Sequence, residues 1–253
     1  DLCLAFSGGV DSSLLLKLVM GASAKHGTKV YAVTFQTRLH PPCDLETATR
    51  GAKEVGAVHE VLYVDELEQE AIRRNPENRC YLCKHHLFGK LLEFAHAHGV
   101  NQVLDGTNED DLHVYRPGLK ALKEYGVISP LAACYVTKAE GKELAAEYGV
   151  SVAYRPSTPC MATRLPYGAE INYDLLDRIA EGEAWLHTMF GAEENIRLRV
   201  HGDIVRLEIA PERMGEVLEK REEITEYLKK LGFSYLTMDL EGFRSGSMDE
   251  KIT

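Results

Sequence analysis

Three sets of residues in this sequence have the types and spacing to do chemistry. The first is Ser7-Gly8-Gly9-Val10-Asp11-Ser12-Ser13, two adjacent glycines among three hydroxyls and one carboxylate. Adjacent glycines let the backbone turn back without a Cβ penalty and bring main-chain N–H groups within reach of an anion. The second set is Cys80 and Cys83, in the run Cys80-Tyr81-Leu82-Cys83, together with Cys160, in the run Pro159-Cys160-Met161. Thiolates are nucleophiles and soft metal ligands. The third is Arg164, Arg197, Arg199 and Arg244, all in the second half. Their planar forks suit phosphates and carboxylates.

Context sharpens each set. The Ser7 loop follows the apolar run Leu2-Cys3-Leu4-Ala5-Phe6 and opens onto Leu14, Leu15, Leu16 and Leu18, so it reads as strand, tight loop and helix start. The unpaired N–H groups and partial positive charge of a helix amino terminus then point at the bound anion. The loop lacks the Lys of G-x-x-x-x-G-K-[ST], so it is not an ordinary P-loop nucleotidase. The plain alternative is a Gly-rich turn capped by Asp or Ser. Cys80 and Cys83 stand at a helix start and share a face, as a zinc half-site, a redox pair or iron–sulfur ligands would, or as a coincidental pair. Cys160 beside Arg164 has the setting of a reactive, low-pKa thiol; the alternative is a structural surface cysteine. Arg197 and Arg199 share one face of a strand, which a solvated face also explains. Arg244, in the Gly-flanked loop Gly242-Phe243-Arg244-Ser245-Gly246, is the better phosphate ligand. Glu109, Asp110, Asp111 and Glu183 are candidates for metal binding, Glu109 for Mg²⁺, or for work beside a reactive thiol, with helix capping as the alternative.

Composition narrows the partners. At 253 residues, with 45% apolar and 27% charged residues, the chain has the profile of a soluble globular protein of one large or two modest domains. No apolar run reaches the roughly 18 residues a membrane span needs. A formal charge of −10 argues against a broad nucleic-acid surface, while a small anionic substrate needs only a few local cations. Six irregularly spaced cysteines without a secretory context indicate a reduced, cytoplasmic setting, and Cys3 and Cys134, among apolar neighbours, read as small core residues. Asp1 stands immediately ahead of a buried-type strand, so a preceding segment is expected to be missing.

The elements that must position these groups alternate. Helices are predicted over 12–26, 44–55, 66–74, 84–98 and 137–148, and strands over 29–37, 59–64 and 101–104, with a short strand or turn at 128–131. This is the signature of a parallel sheet covered on both faces, whose ligands sit beyond the carboxyl ends of the strands, where the Ser7 loop and Gly106 both fall. Thr137 with Glu140 three residues on forms a capping-box pattern. Pro41-Pro42 marks a loop able to fold over a nucleotide. The Pro-rich run 155–160 is a break, and the domain boundary is placed shortly after it: 1–168, then 169–253. The second part reads as a helix over 173–190, a hairpin of strands 196–201 and 204–209, an amphipathic helix over 212–231 and a strand over 235–239, a small α+β domain.

SGGVDSS resembles the pyrophosphate (PP) loop of the N-type ATP pyrophosphatases, which include NAD synthetase, GMP synthetase and tRNA-thiolating enzymes. The resemblance implies an adenine nucleotide alpha hydrolase-like fold, with Ser7 through Ser13 and Gly106 binding ATP, and ATP cleaved to AMP and pyrophosphate with Mg²⁺ near Asp11. Together with 75–84 (NPENRCYLCK), 105–111 (DGTNEDD), 115–121 (YRPGLKA) and 159–168 (PCMATRLPYG), it narrows to the LarE family of sulfur transferases, over nearly the whole chain. Those enzymes mature the nickel-pincer cofactor of lactate racemase. The resemblance implies adenylation of the carboxylates of pyridinium-3,5-dicarboxylic acid mononucleotide and their conversion to thiocarboxylates, with Arg164, Arg197 and Arg244 holding the substrate. In one kind of member a cysteine at the position of Cys160 gives up its sulfur. In the other, cysteines matching Cys80, Cys83 and Cys160 hold a [4Fe–4S] cluster that presents sulfide, and this sequence has all three. The family also suggests a homo-hexamer, a free sulfide or other sulfur donor, and no nucleic-acid or membrane partner. An amidating, NAD synthetase-like enzyme would not require the three cysteines, and a tRNA thiolase would be expected to carry a basic face. A nucleotide-sensing module with structural zinc is the non-enzymatic alternative.

Overall fold

A computed structural model describes residues 1–40, 42–155 and 159–250; Pro41 of the expected Pro-Pro loop and residues 156–158 of the Pro-rich break lie outside them. The chain divides into two compact units, the first from Asp1–Glu68 and Asn78–Thr158, the second from Gln69–Glu77 and Pro159–Thr253.

The first unit is built on four parallel strands, β1 (Leu2–Ala5), β2 (Val30–Gln36), β3 (Val58–Tyr63) and β4 (Val103–Leu104), in the order β3-β2-β1-β4. Strand residues alternate between two cores, as a sheet buried on both faces requires. Leu4, Phe6, Val30 and Ala32 face one core with Leu14, Leu15 and Leu16; Cys3, Tyr31 and Val33 face the other with Phe88 and Leu91. The first core is covered from α1 (Val10–His26), α2 (Pro42–Val55), α6 (Pro130–Ala133) and α7 (Lys138–Glu147), the second from α4 (Arg79–Ala97) and α5 (Gly118–Glu124). Ile128 pairs in parallel with Leu104 as an isolated bridge, so the expected fifth strand is a single rung. The capping box at Thr137 and Glu140 is formed. Cys3 is fully buried, and burial pushes its thiol up to about 12. Cys134, expected in the core, is exposed, because it ends a four-residue helix rather than an apolar face.

The second unit opens with α3 (Glu70–Arg73), inserted before Asn78, and continues with α8 (Tyr173–Phe190) over a three-stranded sheet. Strands β5 (Arg197–His201) and β6 (Ile204–Glu208) form the expected hairpin, and β7 (Tyr235–Met238) adds in parallel to β6. The single helix expected over 212–231 is two, α9 (Met214–Glu219) and α10 (Arg221–Lys230). No apolar residue falls between 219 and 223 to tie the junction to the core. The domain boundary is corrected too. Residues 159–168 belong to the second unit, as do 69–77, because Gly168 N donates to Asn75 O at 2.8 Å and Ile171 N to Arg73 O at 2.8 Å. No helix of the described residues is long and apolar enough to cross a membrane.

Glu66, in the turn after β3, is fully buried with neither carboxylate oxygen hydrogen-bonded, and burial pushes its carboxyl from 4.5 up to about 7. An acid whose folded pKa lies above its unfolded value holds its proton more tightly when folded, so stability falls as pH rises between those values. Glu66→Gln stays neutral. Melting curves from about pH 5 to about pH 8 should show wild type losing ground to this variant as pH rises, a gap that closes below the unfolded pKa.

Candidate active site

The Ser7 loop joins β1 to α1 at the carboxyl edge of the sheet. Gly8 takes φ +72°, and a Cβ there would stand 2.8 Å from Ala48 N, so the loop is pressed against α2 backbone and admits only glycine. Gly9 caps α1 without any side-chain bond to the first-turn N–H groups. The hydroxyls hold the loop rather than the helix end: Ser7 Oγ and Ser12 Oγ are 3.0 Å apart, and Ser12 Oγ donates to Gly9 O at 3.1 Å. The helix dipole and the first-turn donors are thus left for an external anion. Gly106, after β4, crosses so close that a Cβ would meet Ser12 N at 2.8 Å.

Asp11 faces the 105–111 segment. Its Oδ2 accepts from Asn108 Nδ2 at 3.3 Å, while its Oδ1 is buried with no hydrogen-bond partner. Burial and then the charge of Asp111 raise the Asp11 carboxyl above its ordinary value, a state a bound cation would reverse. An orphaned carboxylate oxygen is a hard donor of the kind Mg²⁺ takes. Glu109, the other expected Mg²⁺ ligand, accepts instead from His113 Nε2 at 2.8 Å, and Asp111 is paired with Arg116 at 2.9 Å. Arg116, Lys138 and Asn108, none of them singled out in the sequence, all act on Asp11. Their signal was membership of the 105–111 and 115–121 runs, except for Lys138, which only the fold brings to the loop.

Cys80 and Cys83 occupy the first turns of α4, three residues apart, Cys80 exposed and Cys83 half-buried; neither is in a disulfide. Arg79 is buried, and its Nη2 lies 3.6 Å from Cys80 Sγ, a cation beside the thiol that spacing alone did not flag. Lys84, one residue past Cys83, reaches Asp105 at 3.9 Å, and burial lowers its pKa. The donor chemistry of the pair suits a soft metal or an iron–sulfur group. No group of three or more His, Cys, Asp or Glu among the described residues is gathered tightly enough to hold a metal ion.

In the second unit Cys160 starts a short turn, Met161–Arg164, and its carbonyl accepts from Thr163 N at 3.0 Å and Thr163 Oγ1 at 2.8 Å. The expected substrate arginines differ in their protein partners. Arg164 Nε and Nη2 clasp Glu183 at 2.9 and 2.8 Å, and Nη1 donates to Pro159 O and Thr163 Oγ1, both at 3.2 Å. It holds the Cys160 turn in shape. Arg244, the expected phosphate ligand, is taken up by Asp239, Glu241 and Glu250 at 3.1–3.3 Å. Arg199 is paired with Glu208 at 2.9 Å. Arg197 differs. It is buried, its Nη1 donates to the Ile196 carbonyl at 2.7 Å, its Nε has no partner, and its guanidinium lies 5.3 Å from the Phe243 ring. Burial, and then the neighbouring Arg164 charge, pull it down to about 10. A solvated strand face is ruled out, since Arg197 and Arg199 are both buried. Arg197 is therefore the arginine whose charge calls for an anion.

A family model described as asparagine synthase matches residues 1–110. The pyridinium-3,5-bisthiocarboxylic acid mononucleotide synthase of Lactiplantibacillus plantarum is 32% identical over 249 residues, 98% of this chain and 89% of that protein. An uncharacterized protein of Synechocystis is 35% identical over 252 residues, 99% of this chain and 92% of its own length. One from Methanocaldococcus jannaschii is 31% identical over 242 residues, 96% of this chain and 90% of its own.

Gly106→Ala tests the loop. The added methyl would meet α1 backbone, which cannot rotate away, so the substitution should cost about 1–3 kcal/mol in thermal unfolding. It should also weaken ATP binding, measured by calorimetry, more than it weakens the fold.

Proposed function

The chain belongs to the LarE family of ATP-dependent enzymes, and we propose that it adenylates the carboxylates of pyridinium-3,5-dicarboxylic acid mononucleotide and converts them to thiocarboxylates. The product would serve nickel-pincer cofactor synthesis, as the name of the L. plantarum relative suggests. The observation that carries the ATP half is the uncapped α1 terminus beside an unpartnered Asp11 oxygen.

The steps follow from charge. A carboxylate is a poor acyl donor because oxide is a poor leaving group. Its oxygen attacks the α-phosphorus of ATP, the bond to the bridging oxygen breaks, and pyrophosphate departs against the first-turn N–H groups of α1. Mg²⁺ held by Asp11 would shield the leaving charge. A sulfur nucleophile then attacks the acyl carbon and AMP leaves, so one C–S bond replaces one C–O bond. Arg197 would hold a substrate anion, with its stacked Phe243 restricting the guanidinium. Arg164 and Glu183 would keep the Cys160 turn in place.

For the sulfur source we favour a [4Fe–4S] cluster with Cys80, Cys83 and Cys160 as ligands. Those three thiolates would hold the group, and the chemistry it would supply is a binding place for exogenous sulfide. The paired placement of Cys80 and Cys83 on one helix start supports this reading over a sacrificial Cys160, which needs neither of them. A cytoplasmic setting and a hexameric assembly complete the proposal.

Asp11→Ala should abolish exchange of labelled pyrophosphate into ATP; exchange at the native rate would refute the loop assignment. Each of Cys80→Ala, Cys83→Ala and Cys160→Ala should lose the broad iron–sulfur absorbance near ~400 nm and sulfur transfer while exchange survives. Persistent transfer in Cys83→Ala, with one sulfur missing from Cys160 by mass spectrometry after turnover, would instead establish sacrifice. Arg197→Met should raise the substrate KM by about 10- to 100-fold, the loss of a charge-assisted hydrogen bond, and Arg244→Met by much less.

A further inference from the structure

Of the two oxygens of Asp11, Oδ2 is held by Asn108 and Oδ1 by nothing among the described residues. What lies against Oδ1 is bare backbone. Gly141 is buried in α7, within the same unit, and a Cβ built on it would stand 3.3 Å from Asp11 Oδ1, with Val136 Cγ1 the next atom at 4.0 Å. The backbone itself gives no reason for glycine there. Gly141 is the fourth residue of α7, and its N–H donates to Thr137 O at 2.8 Å as in any helix. In such a position alanine is the better helix former, because glycine loses more backbone freedom on folding. What glycine supplies instead is room beside an unpartnered carboxylate oxygen.

A methyl at 3.3 Å is closer than carbon normally packs, so one side must give by a few tenths of an ångström. Helix α7 is the fixed side. Lys138 N donates to Asp110 Oδ2 at 2.7 Å, Glu109 N donates to Val136 O at 2.9 Å, the capping box closes the helix start, and Ala145 is fully buried one turn further on. The Asp11 carboxylate, at the end of a side chain and held by one 3.3 Å hydrogen bond, is the side that moves. Such a shift matters little to packing, but Mg²⁺ demands near-octahedral geometry at closely defined distances. We propose that Gly141 is a positioning residue for adenylation: by carrying no side chain it sets where the Asp11 carboxylate sits and leaves Oδ1 free to take up a cation. Gly141 acts only through Asp11, and the proposal rests on the reading of Asp11 as the Mg²⁺ ligand.

The test is Gly141→Ala in the full chain, with ATP binding measured by calorimetry once in EDTA and once in magnesium chloride. The control is Gly21→Ala, the same change in α1 at a glycine with nothing among the described residues within 4 Å of its would-be Cβ. Both variants should melt at or above the wild-type temperature. In EDTA both should bind ATP within about twofold of wild type, a difference of ~0.4 kcal/mol. Gly141→Ala should lose about tenfold of the affinity that magnesium adds, ~1.4 kcal/mol, and Gly21→Ala none of it. Asp11→Ala should lose the whole increment. A native increment in Gly141→Ala beside a lost one in Asp11→Ala overturns the proposal and leaves the Asp11 reading standing. A native increment in Asp11→Ala refutes that reading, and the proposal with it. A Gly141→Ala protein that melts below wild type and binds no ATP in EDTA also overturns it, since Gly141 would then hold the fold rather than the carboxylate.

Discussion

A helix that starts without a side-chain cap leaves its first N–H groups unsatisfied, and the first unit is arranged around holding such a start at the edge of a parallel sheet. The Ser7 and Ser12 hydroxyls, the obvious caps, bond to one another and to Gly9 O instead. Gly8 and Gly106 let two further backbones come within contact distance of the loop, from α2 and from the end of β4. The cost is borne by burial of Leu14, Leu15 and Leu16 one turn further on, which anchors α1 whether or not an anion is present.

Charge is handled differently in the second unit. Buried guanidinium groups are tolerated when a carboxylate faces them, and the unit supplies Glu183 for Arg164 and Glu208 for Arg199 and Arg206, although Arg206 Nε itself has no partner. Ser247 adds a hydroxyl to Glu208 at 2.7 Å, bringing the segment after β7 onto the same network. Against that background a buried Arg197 with one backbone acceptor, one aromatic face and no carboxylate in ion-pair distance among the described residues is the departure from pattern. Departures of this kind concentrate at sites where a ligand completes the set.

The second unit is also discontinuous in sequence. Its inserted stretch, Gln69–Glu77, buries Ile72 and Asn75 and ends a few residues before the paired cysteines. A boundary drawn after the Pro-rich break treats the cysteine-bearing segments as parts of one domain. Residues from Pro159 onward instead belong with the inserted stretch, Arg73 and Asn75 bonding to Ile171, Gly168 and Pro166.

Most of the local architecture could be read from residues alone. The strand–loop–helix around Ser7, the capping box at Thr137, the helix over Tyr173–Phe190 and the hairpin at Gly202 follow from periodicity and turn residues, which act over a few positions. The nucleotide-loop type and the three cysteines were equally plain, because their identity is their signal. Which arginine keeps an unspent charge was not. Arg164, Arg197 and Arg244 look alike in one dimension, and they differ only in which carboxylates the packing brings within about 3 Å, the hydrogen-bonding distance. The same holds for the idle oxygen of Asp11, the solitary burial of Glu66 and the capture of 69–77 by the second unit. Each depends on partners tens of residues away, and local preference carries no information about distant partners until the chain has closed on itself.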